Sequence, residues 1–152
     1  MSEEPTYRQA TEADAEAIAR VGAEVWDELG ERSGLPGRMT ADGVRGRLSE
    51  WGSKGAIFAC ELAGRAIGFA SVQPDVNHPR EALMGVWLLP AARRQGFGRE
   101  LALMATDFAR SAGYQRVRGT LPEENEPALS FFSDIGSLAQ VVGQGMEYEL
   151  PL

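Results

Sequence analysis

A mixed α/β domain is the fold class that this sequence predicts, and three observations predict it. Short apolar runs with strand-like alternation are interleaved with stretches whose apolar residues recur at helical spacing. Of the 152 residues, 43% are hydrophobic, enough to fill a core without disulfide or metal staples. No internal repeat, low-complexity tract or linker interrupts the chain, so residues 1–152 read as a single domain.

Residues 5–10 suit a short first strand. Thr11 and Asp14 then make a capping-box-like start for a helix that carries Ile18, Val21 or Gly22, Val25 and Leu29 on one stripe. Its end gathers Glu24, Asp27, Glu28 and Glu31, and a loop with Gly30, Gly34, Pro36 and Gly37 follows. Thr40 can cap a second helix with Val44, Leu48 and Trp51 at helical spacing. Gly43 and Gly46 each cost that helix roughly 1 kcal/mol against alanine, which predicts a short or mobile element.

Residues 56–62 and 66–73 read as two strands joined through Ala63-Gly64-Arg65, with Gly68 weakening the second. After a polar loop over 74–79, residues 82–89 form a fourth strand whose nearly continuous apolar character places it centrally. From Gly98 a helix carries Leu101, Met104 or Ala105, Phe108 and Ala112, with Gly113 as its natural stop. Residues 116–121 alternate Val117, Gly119 and Leu121 against Arg116, Arg118 and Thr120, as a strand with one buried face does. Asn125 caps a further helix with Pro127 in its first turn and Gly136 just past its end. Met146, Tyr148 and Leu150 mark a closing strand.

Composition excludes several functions. The one cysteine, Cys60, cannot form an internal disulfide, and its neighbours Ile57, Phe58 and Ala59 mark it as a buried small hydrophobe. No apolar run reaches the roughly 18 residues that span a bilayer, and Ser2, Glu3, Glu4 and Pro5 do not open a leader peptide. The expectation is a cytoplasmic protein with no membrane partner. A net charge of -7 and a pI near 4.8 repel nucleic acid, so arginines clustered near position 93 read as a local pocket instead of a polyanion-binding stripe.

That cluster is Leu88-Leu89-Pro90-Ala91-Ala92-Arg93-Arg94-Gln95-Gly96-Phe97-Gly98-Arg99, where a strand breaks into a glycine- and arginine-rich turn and a helix begins. Glycines permit positive φ and close backbone approach, and the helix start aims its partial positive charge at the same point, so the segment suits a phosphate. The plain alternative is a strand-to-helix connection with a solvated basic face. A Walker loop is excluded because no Gly-Lys-Ser/Thr occurs, and the dinucleotide fingerprint fails because its third small residue would fall on Leu101.

What remains, Arg-x-x-Gly-x-Gly between strand and helix, resembles the acyl-CoA-binding motif of the GCN5-related N-acetyltransferase (GNAT) superfamily. Asn125-Glu126-Pro127-Ala128-Leu129-Ser130-Phe131-Phe132-Ser133-Asp134-Ile135-Gly136 resembles the second signature of that family. The motif likeness covers roughly residues 82–136. It implies a mixed, mostly antiparallel twisted sheet with helices on both faces and a splayed central parallel strand pair. It also implies acetyl-CoA as cosubstrate, with no metal.

Under that resemblance the amides from Arg94 to Arg99 hold the diphosphate. Arg93, Arg94, Gln95, Gly96, Phe97, Gly98 and Arg99 line it, and Gly96 and Gly98 tolerate no side chain. Pantetheine enters between the splayed strands; alternate residues turn backbone groups to one edge, which selects Val86 and Leu88. Asn125 serves as helix cap, coenzyme contact or both. Phe132 stands where many relatives carry a tyrosine that protonates the leaving thiolate; a phenyl ring packs on pantetheine but has no proton to give. Either Tyr148, Tyr114 or water donates instead, or the thiolate leaves unprotonated, or catalysis is weak.

The reaction implied is direct attack of a primary amine of a small molecule or peptide on the thioester. Glu81, at the mouth of the fourth strand, is the first candidate for the base, directly or through water, and His78 the second. In the resembled family the region around Glu24–Glu31 flanks the acceptor site, so its carboxylates read either as a solvated helix end or as recognition of a cationic amine. A noncatalytic acyl-CoA-binding module is the alternative function, and a homodimer stays open.

Overall fold

The computed structural model describes residues 4–121, 138–142 and 145–152. In chain order these form β1 (Thr6–Gln9), α1 (Ala15–Leu29), α2 (Ala41–Trp51), β2 (Ala56–Leu62), β3 (Arg65–Pro74), β4 (Glu81–Leu88), α3 (Phe97–Ser111), β5 (Arg116–Leu121), β6 (Leu138–Val142) and β7 (Gly145–Pro151). The helix expected after Asn125 lies outside the described residues. So do the sequence-predicted roles of Asn125 and Phe132.

The strands build one sheet in the order β1-β2-β3-β4-β5-β7-β6. All neighbours are antiparallel except β4 and β5, which run parallel through Glu81–Leu83 and Arg116–Arg118 and then part. Alternation along the inner strands feeds two cores. Phe58, Cys60, Val72, Ala82 and Met84 face α3, which contributes Phe97, Leu101, Ala105 and Ala109. Ile57, Ala59 and Phe69 face the other side, where α1 brings Ile18, Val21 and Val25 and α2 brings Val44. Helices therefore cover both faces, and β2 is buried on both because its neighbours of opposite parity each have a helix to meet.

Thr11 and Asp14 form the expected capping box, but around a 3-10 turn at Glu12–Asp14 that leads into α1. The Asp14 carboxylate also takes both terminal nitrogens of Arg8, at 2.8 and 2.6 Å, which ties β1 to the start of α1. That guanidinium holds the Asp14 carboxyl well below the usual carboxylate range, at about 2. α2 runs for 11 residues despite its two glycines, because the Thr40 hydroxyl accepts from the Gly43 amide at 3.1 Å and Val44 anchors its inner face. Cys60 is fully buried, and burial pushes its thiol pKa up, as its apolar neighbours suggest.

Gly68 does more than weaken β3. A Cβ there would lie 2.3 Å from Leu88 Cδ2 and 2.9 Å from the Trp87 carbonyl oxygen, so the end of β4 packs where only a hydrogen fits.

Two outcomes follow from these contacts. Gly68→Ala should lower stability by about 1–3 kcal/mol in urea unfolding, because the added methyl must displace β4 backbone. For Asp14, the folded pKa lies below the unfolded value, so the stabilisation is present above pH 4 and is lost as pH falls toward 2. Asp14→Asn should therefore be less stable than the wild type by about 1 kcal/mol at pH 7, discounted for the half-exposed Arg8. The gap between the two unfolding curves should close between pH 4 and pH 2.

Candidate active site

The site is built on the free edge of β4. The Leu89 amide donates to the Ile67 carbonyl at 2.9 Å, with Leu88 opposite Gly68 in register. Antiparallel alternation then turns the backbone groups of residues 83, 85 and 87 toward β3 and those of 82, 84, 86 and 88 the other way. Pairing with β5 stops at Leu83, so Val86 and Leu88 present their outward groups to the gap between the parted strands. From Leu83 to Leu88 the gap is about 16 Å long at the usual strand rise. The Val86 and Leu88 side chains pack toward α3, leaving the edge itself to backbone.

At the end of this edge, a turn at Pro90–Ala92 leads into the arginine-glycine segment. Arg94 adopts φ +63° and Gly96 φ +88°, and Arg94 and Ala63 are the non-glycine residues with positive φ among those described. That conformation costs an arginine about 1–2 kcal/mol, a strain stored in the turn. A Cβ on Gly96 would meet nothing within 4 Å, so its glycine is required by conformation and not by protein contacts. α3 begins at Phe97 with no capping side chain, and its first helical bond runs from the Glu100 amide to the Gly96 carbonyl at 3.3 Å. The amides of Phe97, Gly98 and Arg99 thus find no acceptor among the described residues, and the helix dipole points out through them.

The side chains of the segment diverge. Arg94 and Arg99 are exposed, Gln95 folds back to donate to the Ala91 carbonyl at 2.8 Å, and Phe97 is buried beneath the turn in the α3 core. Arg93 turns away from the amides: its Nη1 and Nη2 grip Glu28 at 2.8 and 2.7 Å, and its Nε donates to the outward Leu88 carbonyl at 3.2 Å. The sequence expectation placed Arg93 among phosphate-facing cations and Glu28 among acceptor-facing carboxylates. In the structure they satisfy each other.

Asp27 is likewise taken by Arg38, at 3.1 and 3.2 Å. Glu24 and Glu31 are in no ion pair among the described residues. A cavity of about 250 Å³ opens where the loop enters α2, with Arg38 and Arg47 as its charged lining. Two of the four carboxylates at the helix end, Asp27 and Glu28, are thus compensated by arginine.

Trp87, which no motif singled out, links the two sides. Its ring lies over Gly85, where a Cβ would be 2.0 Å from Cη2, and stacks at 5.1 Å on Phe69. Its Nε1 donates to the Ser33 carbonyl at 2.8 Å, tying the segment after α1 to β4.

Glu81 sits at the first pair of β4 with β5, opposite Arg116. Its carboxylate accepts from Arg118 Nε at 2.9 Å and lies 3.5 Å from Arg116 Nε. Arg118 also binds Asp75, and the His78 Nδ1 lies 3.1 Å from Asp75 and 3.2 Å from Arg118 Nη2. The Asp75 carboxyl is held below the ordinary range, first by the Asn77 amide and then by His78 and Arg118. Both base candidates therefore share one ion-paired network at the closed end of the gap. Tyr114 is occupied elsewhere: it is buried, and its hydroxyl donates to the Lys54 carbonyl at 2.7 Å. Tyr148 lies on β7 at the register position opposite Gly119, one residue beyond the last contact of β5 with β4.

No group of metal-ligating side chains occurs among the described residues. No helix among them is long and apolar enough to cross a membrane.

Comparison with known proteins agrees with this geometry. The model of the acetyltransferase (GNAT) family matches residues 22–136. The N-acetyltransferase YjgM of Escherichia coli strain K12, itself uncharacterized, is 31% identical over 136 residues, covering 87% of this chain and 81% of its own. Mycothiol acetyltransferase of Thermomonospora curvata is 33% identical over 103 residues, 66% of this chain, and the match spans only 34% of that longer protein. Among solved structures, a GNAT superfamily phosphinothricin acetyltransferase from Sinorhizobium meliloti in complex with acetyl-CoA superposes with a TM-score of 0.83. That alignment covers 100% of this chain and 89% of the other, at 18% identity, and shows the shared fold. With the parted β4–β5 pair, the open amides before α3 and a family match over most of its length, the chain belongs to the acetyltransferase (GNAT) family.

Proposed function

We propose that this chain is a single-domain, acetyl-CoA-dependent N-acetyltransferase that acetylates a primary amine of a small molecule or peptide. The observation that carries the reading is the open backbone: the amides of Phe97, Gly98 and Arg99, without an acceptor among the described residues, follow in the chain on the β4 edge that β5 leaves after Leu83. The relatives support it, since the Sinorhizobium structure holds acetyl-CoA on the same fold. In this reading the amides from Arg94 to Arg99 hold the diphosphate, with the exposed Arg94 and Arg99 adding charge. The Val86 backbone and the Leu88 amide pair with the pantetheine amides, as an added strand would, while the Leu88 carbonyl stays with Arg93.

The coenzyme supplies an activated acetyl thioester. The neutral amine attacks the carbonyl carbon to form a tetrahedral adduct. The adduct then expels the thiolate, and the proton lost by the nitrogen balances the one gained by sulfur. Deprotonating a lysine-like amine at pH 7 costs roughly 4–5 kcal/mol, against about 1 for an α-amine. The smaller cost favours acceptors of low amine pKa. Glu81 accepts from Arg118 Nε at 2.9 Å and lies 3.5 Å from Arg116 Nε, so in this reading it reaches the amine through water. Compensation of Asp27 and Glu28 by arginine removes much of the case for a strongly cationic acceptor. Tyr148, beside the end of the parallel pair, is assigned the proton donor to the departing thiolate, a role Phe132 cannot fill.

Phe132 also sustains a second reading, a coenzyme-binding module without turnover. A panel of amines, including α-amino acids, peptide N-termini, polyamines and aminoglycosides, monitored for free CoA release and by mass spectrometry for the acetylated nitrogen, decides between them. Acetyl-CoA binding with no CoA release across the panel would establish the module instead.

On the best acceptor of that panel, Glu81→Gln should depress turnover at neutral pH and recover toward wild type at high pH; a ratio constant across pH removes Glu81 from proton transfer. Tyr148→Phe should lower kcat by about 10²-fold while leaving acetyl-CoA affinity near wild type. An unchanged kcat excludes Tyr148 as the acid.

A further inference from the structure

The Arg93–Glu28 pair joins two segments that the proposed reaction uses for different partners. Arg93 opens the glycine turn, and Glu28 stands one residue before the end of α1, next to the loop on the acceptor side. The contact is a two-point fork at 2.7 and 2.8 Å with both side chains about two-thirds buried, the geometry in which an arginine–carboxylate pair is most directional. The third nitrogen, Nε, is fixed on the Leu88 carbonyl, so one guanidinium spans the end of β4 and the end of α1.

A carboxylate beside a turn that must take a polyanion is unfavourable for that task. Were Arg93 there to neutralise phosphate, Glu28 would cancel it. A cation whose three nitrogens are already committed to protein acceptors serves geometry instead.

Resting on the acetyl-CoA reading above, we propose that Arg93 is a positioning residue: through Glu28 it carries the order imposed at the diphosphate turn into the acceptor-side segment Leu29–Leu35. That segment reports on itself through three amides, because Gly30 donates to the Trp26 carbonyl, Gly34 to the Glu31 carbonyl at 3.1 Å and Leu35 to Ser33 Oγ at 3.0 Å. The Trp87 bond to Ser33 fastens the same segment to β4, so what Glu28 adds is the tie to the turn.

The test is hydrogen exchange at residues 29–35 and 94–100, with and without saturating acetyl-CoA, in the wild type, Glu28→Ala and Arg93→Lys, beside calorimetric titration of acetyl-CoA. In the wild type acetyl-CoA should slow exchange at both segments, by about fivefold at 29–35. In Glu28→Ala the turn should still be protected and the slowing at 29–35 lost, with acetyl-CoA affinity equal to or tighter than wild type because a nearby negative charge is gone. Arg93→Lys should lose the same protection, since an ammonium keeps the charge but cannot span Glu28 and Leu88 together.

Slowing at 29–35 that persists in Glu28→Ala or in Arg93→Lys, or that is absent from a wild type that binds acetyl-CoA, overturns the proposal. A Glu28→Ala protein that binds acetyl-CoA more weakly also overturns it. A wild type that does not bind acetyl-CoA overturns the acetyltransferase reading itself, a distinct result visible in the first titration.

Discussion

The candidate site depends on β4 leaving β5 after three residue pairs. Each strand has a partner along its length on the other side: β4 pairs with β3 at seven positions from Gly68↔Leu88 to Pro74↔Ala82, and β5 pairs with β7 at six. Neither strand needs the other to stay in the sheet. The parting exposes a row of backbone donors and acceptors inside a protein, where an unmatched polar group costs about 1–3 kcal/mol unless water or a ligand meets it. A linear molecule with its own amides is the natural complement to such a row.

The turn before α3 extends the same logic from hydrogen bonds to charge. Helix starts leave their first amides unpaired, and among the described residues no side chain folds back to cap these. The left-handed φ values at Arg94 and Gly96 bend the backbone so that the open amides follow directly on the open edge. Local strain, an uncapped helix and an unpaired strand edge would each be a liability alone. Consecutive in the chain, they supply hydrogen-bonding capacity along the strand edge and partial positive charge at the helix start.

Local pattern made much of this legible. The bounds of β5 are readable from strict alternation over 116–121, whereas the choice of Val86 and Leu88 needs the family resemblance, because alternation alone leaves the parity open. Gly68 was read as a weak point in β3, whereas it marks the close approach of Leu88 and the Trp87 carbonyl, a contact from the neighbouring strand. β6 goes unread in the sequence because Leu138–Val142 is only five residues long and Gln140 interrupts its apolar run. The ion pairs were out of reach for a different reason. Glu28 and Arg93 are 65 residues apart, and Asp75 and Arg118 are 43 apart; nothing in local composition says which charges will share a face.

That limit bears on how net charge is used to infer a partner. A chain at -7 with four carboxylates near one helix end invites the conclusion that it attracts cations. Yet two of the four face an arginine at hydrogen-bond distance, and a paired charge seen from beyond a Debye length of about 8 Å contributes almost no field. Among the described residues, what reaches an approaching ligand is the uncompensated remainder: Glu24 and Glu31 at the end of α1, Arg94 and Arg99 at the turn. The field that selects a ligand is therefore set by which charges the fold leaves unpaired, and on that count the turn is the more strongly polarised of the two sides, since its arginines add to a helix dipole of the same sign.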